Sequence, residues 1–121
     1  MGDLAAAGRF KILEEEDTST PVRLEGMKLR AIVIPDDWTA ADVVFWSRPV
    51  LFAGDPQTAD YALVFAIQVV AGQYRVLTED ERSMAEGLWD TKIVSSLHAD
   101  VSTPVTQDSE VTILAIAEPR H

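Results

Sequence analysis

The sequence predicts an all-β domain: a small antiparallel β-sandwich, jelly-roll-like, with about seven strands, one short helical turn and an N-terminal arm. Three observations predict it. Apolar residues recur at period two in one segment after another. Those segments are short and rich in Val, Ile, Phe and Trp, the residues that suit a pleated surface. Pro, Gly and Asp interrupt them at short intervals, which is turn chemistry. With 121 residues, 47% of them hydrophobic and 25% charged, the chain has the length and composition of one globular domain with a real core.

Residues 1–20 read as an arm outside the main fold, and residues 21–121 as the sandwich domain. Met1 to Gly8 is small in composition, Phe10, Ile12 and Leu13 supply apolar anchors, and Glu14 to Asp17 breaks off into charge. Pro21 to Leu24 is a short edge strand. Leu29 to Ile34 alternates, with Leu29, Ala31 and Val33 on one face and Arg30, Ile32 and Ile34 on the other. Pro35 has no N–H for a ladder and Asp36 and Asp37 can bond their own backbone, so a corner follows, closed by Trp38. Asp42 to Ser47 is the next strand. With apolar residues on both faces, these two strands call for cover on both sides.

The stretch from Arg48 to Asp60 is a loop broken by Pro49, Gly54 and Pro56, in which Val50, Leu51 and Phe52 are unusually apolar. Tyr61 to Val70 is the longest strand expected. Ala71-Gly72 makes a two-residue hairpin connection into Gln73 to Leu77, with Gly72 supplying a positive φ. Thr78 and Glu81 have capping-box spacing, so a turn or two of helix begins there and runs through Glu86 to Gly87. Leu88 to Ser96 returns to strand, His98 to Asp108 is a polar loop, and Glu110 to Ala117 is the last strand, with Thr112, Leu114 and Ile116 opposite Val111, Ile113, Ala115 and Ala117.

A formal charge of −10 argues against nucleic acid as partner, since that binding needs Lys and Arg against phosphates. It disfavours an anionic membrane surface in the same way. Excess Asp and Glu serve solubility, or complement a basic protein surface. The chain has no cysteine, hence no disulfide, no thiolate zinc site and no thiol nucleophile. Met1 to Arg9 lacks the basic start and apolar run of a secretory signal, and no apolar stretch has the length of a membrane span; the expectation is a protein made in the cytoplasm.

Chemistry finds little support in the residues. His98 and His121 stand alone, without metal-ligand spacing. Asp36 and Asp37 resemble half of a glycosidase pair, but a turn explains them better. Ser47, Ser83, Ser95, Ser96, Ser102 and Ser109 lack a nucleophile elbow, and the scattered glycines make no phosphate loop. Trp38, Trp46 and Trp89 could stack a sugar, although tryptophan on a sandwich strand is more often core or interface. No catalytic residue, cofactor or metal site is expected; a cytosolic enzyme is the weakest reading.

The run from Ala31 to Phe45, AIVIPDDWTAADVVF, resembles a recurring pattern in small structural proteins of tailed bacteriophages and prophages. Ala71 to Leu77, Lys92 to Ser96, Thr103 to Gln107 and Thr112 to Leu114 are similar to that family in order and spacing. The likeness covers about residues 29–117. It departs at Trp46 to Pro49, where the family carries a Ser-x-Asp-Gly hairpin, and residues 1–20 have no counterpart. The resemblance implies a non-enzymatic virion component with a β-sandwich core, made in the bacterial host cytoplasm. Its expected role is a head decoration or cement protein on the capsid surface that docks on the major capsid protein or other virion proteins. A homo-oligomer is expected, a trimer favoured, with Phe10, Ile12, Leu13, Val50, Leu51 and Phe52 as interface candidates. The alternative is a head-spike, neck or tail-fibre module that binds a receptor or glycan.

Overall fold

The computed structural model describes residues 5–24, 27–48, 61–97 and 102–119. They form eight strands and one helix: β1 (Ala5–Ile12), β2 (Val22–Arg23), β3 (Met27–Val33), β4 (Asp42–Arg48), β5 (Ala62–Ile67), β6 (Tyr74–Val76), α1 (Glu79–Ala85), β7 (Asp90–Ser96) and β8 (Val111–Pro119). Two four-stranded antiparallel sheets result, in the orders β1-β8-β3-β6 and β2-β7-β4-β5. The pairs β1·β8, β2·β7, β3·β6 and β4·β5 are those of one long antiparallel ribbon, its first half lying against its second. Wrapping that ribbon adds the pairs β3·β8 and β4·β7. This is the jelly roll, so the expected sandwich class is the observed one.

The core lies between the sheets and is built by the period-two pattern. Phe10 and Ile12 of β1, Ile32 of β3, and Val111, Ile113 and Ala115 of β8 face Val43, Phe45, Phe65, Ile67 and Ile93 of the other sheet. Three rings run through it. Phe10 meets Phe45 edge-on at 6.2 Å between centroids, and Phe45 stacks on Phe65 at 4.7 Å. Polar residues enter the interior only with partners. Gln107, wholly buried, accepts from the Thr39 N–H at 2.8 Å and donates to the Ser95 hydroxyl at 2.8 Å. Ser19, also buried, accepts from the Ile93 N–H at 2.9 Å.

Two expectations change. The arm over residues 1–20 is not an arm along its strand. Residues 5–12 pair along β8 from Ala5↔Ala117 to Ile12↔Val111, and Phe10 and Ile12 are wholly buried. Beyond a turn at Leu13–Glu16, the segment through Ser19 continues against β7, with Thr18 bridging Val94. The strand count among the described residues is therefore eight. The second change concerns β5 and β6, which do not pair as a hairpin. Gly72 has the expected positive φ of 77° and closes a turn in which the Gln73 N–H donates to the Val70 carbonyl. That turn carries the chain from one sheet to the other, since β5 pairs with β4 and β6 with β3. Ribbon wrapping, not the local turn, chooses the partners.

The Pro35–Trp38 corner is built as its residues imply. The Trp38 N–H and the Gly72 N–H both donate to the Pro35 carbonyl, and the Trp38 ring is buried with its Nε1 donating to the Ala41 carbonyl at 3.2 Å. Helix α1 has the full capping box. The Thr78 hydroxyl accepts from the Glu81 N–H at 3.2 Å and the Glu81 carboxylate accepts from the Thr78 N–H at 2.8 Å. Among the described residues no helix is long and apolar enough to cross a membrane.

Candidate docking surface

Side chains alternate across a sheet, so whatever does not face the core faces out. On the β1-β8-β3-β6 sheet the outward positions follow from register: Arg9 lies beside Leu114, Leu114 beside Val33, and Val33 beside Tyr74. One row along, Ile116 lies beside Ala31 and Ala31 beside Val76. The face is therefore apolar across three adjacent strands, with Val33, Leu114 and Ile116 half-buried and Tyr74 and Val76 55% and 58% exposed. An antiparallel sheet with one free face ordinarily turns polar residues outward. A contiguous outward stripe of apolar side chains makes this face the candidate docking surface.

Charge frames this stripe. Lys11 continues the row of Arg9 at one edge and is paired to Glu110 at 3.4 Å. At the far end of the stripe, Lys28 lies opposite Glu118 across the β3·β8 ladder. Glu118 also accepts from Arg30, and this hydrogen bond, with the nearby positive charges, holds its carboxyl below the usual range. On the helix side, Arg75 clamps Glu81 with two hydrogen bonds at 2.9 and 2.8 Å. Burial alone would raise the Glu81 pKa, but Arg75 and the Thr78 amide outweigh it and hold the carboxyl low. An open hollow of about 410 Å³ lies between β3 and α1. Its walls mix Lys28, Arg30 and Arg82 with Glu79 and Glu86, so it offers no single-sign field to a ligand.

The outer face of the other sheet is closed differently. Val44 and Val94 are buried there, and Arg48 is buried against Asp90 with its Nε donating at 2.9 Å. Asp90 and Tyr61 hold the Arg48 guanidinium charged against the burial that opposes it. Lys92 sits over the Tyr61 ring at 4.7 Å, with Trp46 tilted against the same ring. Among the described residues no three His, Cys, Asp or Glu side chains converge as a metal site would need.

Of the residues expected at an interface, Phe10 and Ile12 lie in the core, because β1 turns its even positions inward. Leu13, just past β1, is 42% exposed. Val50, Leu51 and Phe52 lie outside the described residues, as do His98 and His121. Trp38, Trp46 and Trp89 form no common platform: Trp38 belongs to the core cluster, whereas Trp46 leans on Tyr61 and Trp89 is 39% exposed. The outward stripe of Val33, Tyr74, Val76, Leu114 and Ile116 was missed as a site. Its signal was the apolar residue at both parities of Leu29–Ile34 and Val111–Ala117, which shows two apolar faces without showing which of them faces the core.

Set against protein-family models, curated proteins and solved structures, the chain matches none.

Proposed function

We propose that this chain is a non-enzymatic structural protein of a tailed-phage virion, a decoration or cement protein that docks on the capsid shell and stabilises it. The observation that carries the reading is the apolar outer face of the β1-β8-β3-β6 sheet. It gives a small rigid module a surface for another protein. A jelly roll by itself argues for no particular role, since the fold serves many. The resemblance of residues 29–117 to phage structural proteins supplies the choice of partner, and the acidic surface suits a chain that must stay soluble until it docks.

A protein that binds only the assembled shell stabilises it by mass action. Purified heads of the parent phage, heated with and without the protein, test this. A rise in the shell's melting temperature, with the protein co-sedimenting in many copies per head, is the expected result. Unchanged melting and no co-sedimentation would refute the reading. The receptor- or glycan-binding alternative has less support, because burial of Trp38 removes one of the three rings that suggested it.

A further inference from the structure

We infer that the outer face of the β1-β8-β3-β6 sheet binds a second copy of the same chain, face to face, about a two-fold axis that runs parallel to the strands between β8 and β3. The inference rests on reading that face as a docking surface. It does not depend on the virion assignment.

The pattern of the face is self-complementary under that one rotation. A two-fold along the strands exchanges β1 with β6 and β8 with β3 while keeping each row at its own height. Arg9, at the β1 edge, then comes over Tyr74 at the β6 edge of the other copy, the geometry of a cation on an aromatic face. In the same row Leu114 comes over Val33. One row along, the large Ile116 comes over the small Ala31, and two rows along Glu118 comes over Lys28. Lys11 arrives at the Gly72 turn, where Asp36 is the near neighbour: a Cβ placed on Gly72 would lie 2.6 Å from its Oδ1. Arg9 meets a ring, Lys11 and Lys28 each meet a carboxylate and Leu114 meets Val33, while Arg30 stays on the Glu118 of its own copy. A two-fold across the strands also pairs apolar with apolar. It would, however, lay β1 on β1, move Arg9 away from Tyr74 and set Lys28 against the Pro35 corner, with no charge matched. Isologous contacts of this kind need one patch that fits itself, and this patch does.

The size of the face sets the strength. Three strands spaced about 4.8 Å apart over six rises of about 3.4 Å, with the short β6 adding two rises, cover roughly 330 Å² on each copy. Standard stable interfaces bury about 800 Å² per partner. The pair is therefore weak in dilute solution and forms at high micromolar concentration. Pairing covers the same face that would dock on a shell, so the two contacts compete and the dimer opens when the chain docks.

Two measurements on the full chain test it. Sedimentation equilibrium across the micromolar to millimolar range should show monomer and dimer exchanging with concentration. Val76→Glu places a carboxylate in the apolar stripe at a position 58% exposed, where no core packing is lost, and should weaken the dimer by about tenfold or more. Leu97→Glu, 59% exposed just past β7 of the other sheet, should leave it unchanged. A strictly monomeric chain, a trimer, or a dimer indifferent to Val76→Glu would overturn the inference. The axis is tested by cross-linking, because the chain has no cysteine of its own. Arg9→Cys and Tyr74→Cys chains, mixed and treated with a short bis-maleimide, should cross-link to each other and not to themselves. Cross-links within the Arg9→Cys sample alone would refute the axis. A chain that stays monomeric yet binds heads removes the dimer and leaves the decoration reading standing; a dimer that ignores heads does the reverse.

Discussion

Phe10 decides whether the N-terminal segment belongs to the core. Its ring is wholly buried, meets Phe45 edge-on at 6.2 Å and, through Phe45 stacked on Phe65, connects β1 to the far sheet. Phe10→Ala removes a ring from a site walled by strands paired on both sheets, so little collapse can refill it. Emptying such a site costs about 3–5 kcal/mol. A domain of 121 residues melts with an entropy of about 2.1 cal/mol/K per residue, so each kcal/mol moves Tm by about 4 °C. The expected loss is therefore about 12–20 °C in Tm, and about 3–5 kcal/mol is a large part of the 5–15 kcal/mol that holds a typical domain folded. Urea titration followed by far-ultraviolet circular dichroism gives the free energy directly. Leu13→Ala, at a position 42% exposed just past the same strand, should change stability by less than about 1 kcal/mol. If Phe10→Ala were as mild as Leu13→Ala, β1 would be an appendage and the eight-strand core would be wrong.

Three further outcomes follow from particular contacts. A Cβ on Gly8 would run into Cγ1 of Val22, so Gly8→Ala should destabilise by about 1–3 kcal/mol, and Val22→Ala should recover most of that in a thermal melt of the double variant. Gln107→Ala strips the Thr39 N–H and the Ser95 hydroxyl of their partner, at about 1–3 kcal/mol for each group left unsatisfied, and should raise amide exchange at Thr39. Glu81 has a folded pKa below its ordinary 4.5, so its contribution is present above that value and is lost as pH falls through the folded pKa. Urea titrations between pH 6 and pH 3 (roughly the window a lowered carboxylate spans) should show a shallower decline for Glu81→Gln than for the parent chain; parallel curves would show that Arg75 contributes nothing through this carboxylate.

Much of the fold was legible because its strands obey period two. β3, β4, β7 and β8 fall within two residues of where alternation placed them, and Thr78-x-x-Glu81 opened the helix as its spacing implies. β1 was hidden because Gly8, Phe10 and Ile12 give only a short alternation before Glu14–Asp17 interrupts it. The β5–β6 connection misled for a different reason. Ala71-Gly72 is a sound turn, but a turn reports local geometry, and in a wrapped ribbon the partner of each strand lies far along the chain. The docking face falls between these cases. Leu114 and Ile116 were visibly apolar beside Val111 and Ile113, and only the sheet order shows that they share an outward face with Val33 and Tyr74.

The pairing of β1 with β8 carries a consequence for how the protein is made. Phe10 finds its ladder partner at Ile113, so β1 leaves the ribosome long before the strand it pairs with has been synthesised. At about 5–20 residues per second, that interval lasts several seconds, during which Phe10 and Ile12 are open to any exposed strand edge nearby. The four consecutive acids from Glu14 to Asp17 follow directly on this strand. In the finished fold three of them are solvated and help little. Beside an unpaired apolar strand, a run of like charge opposes pairing between copies of that strand.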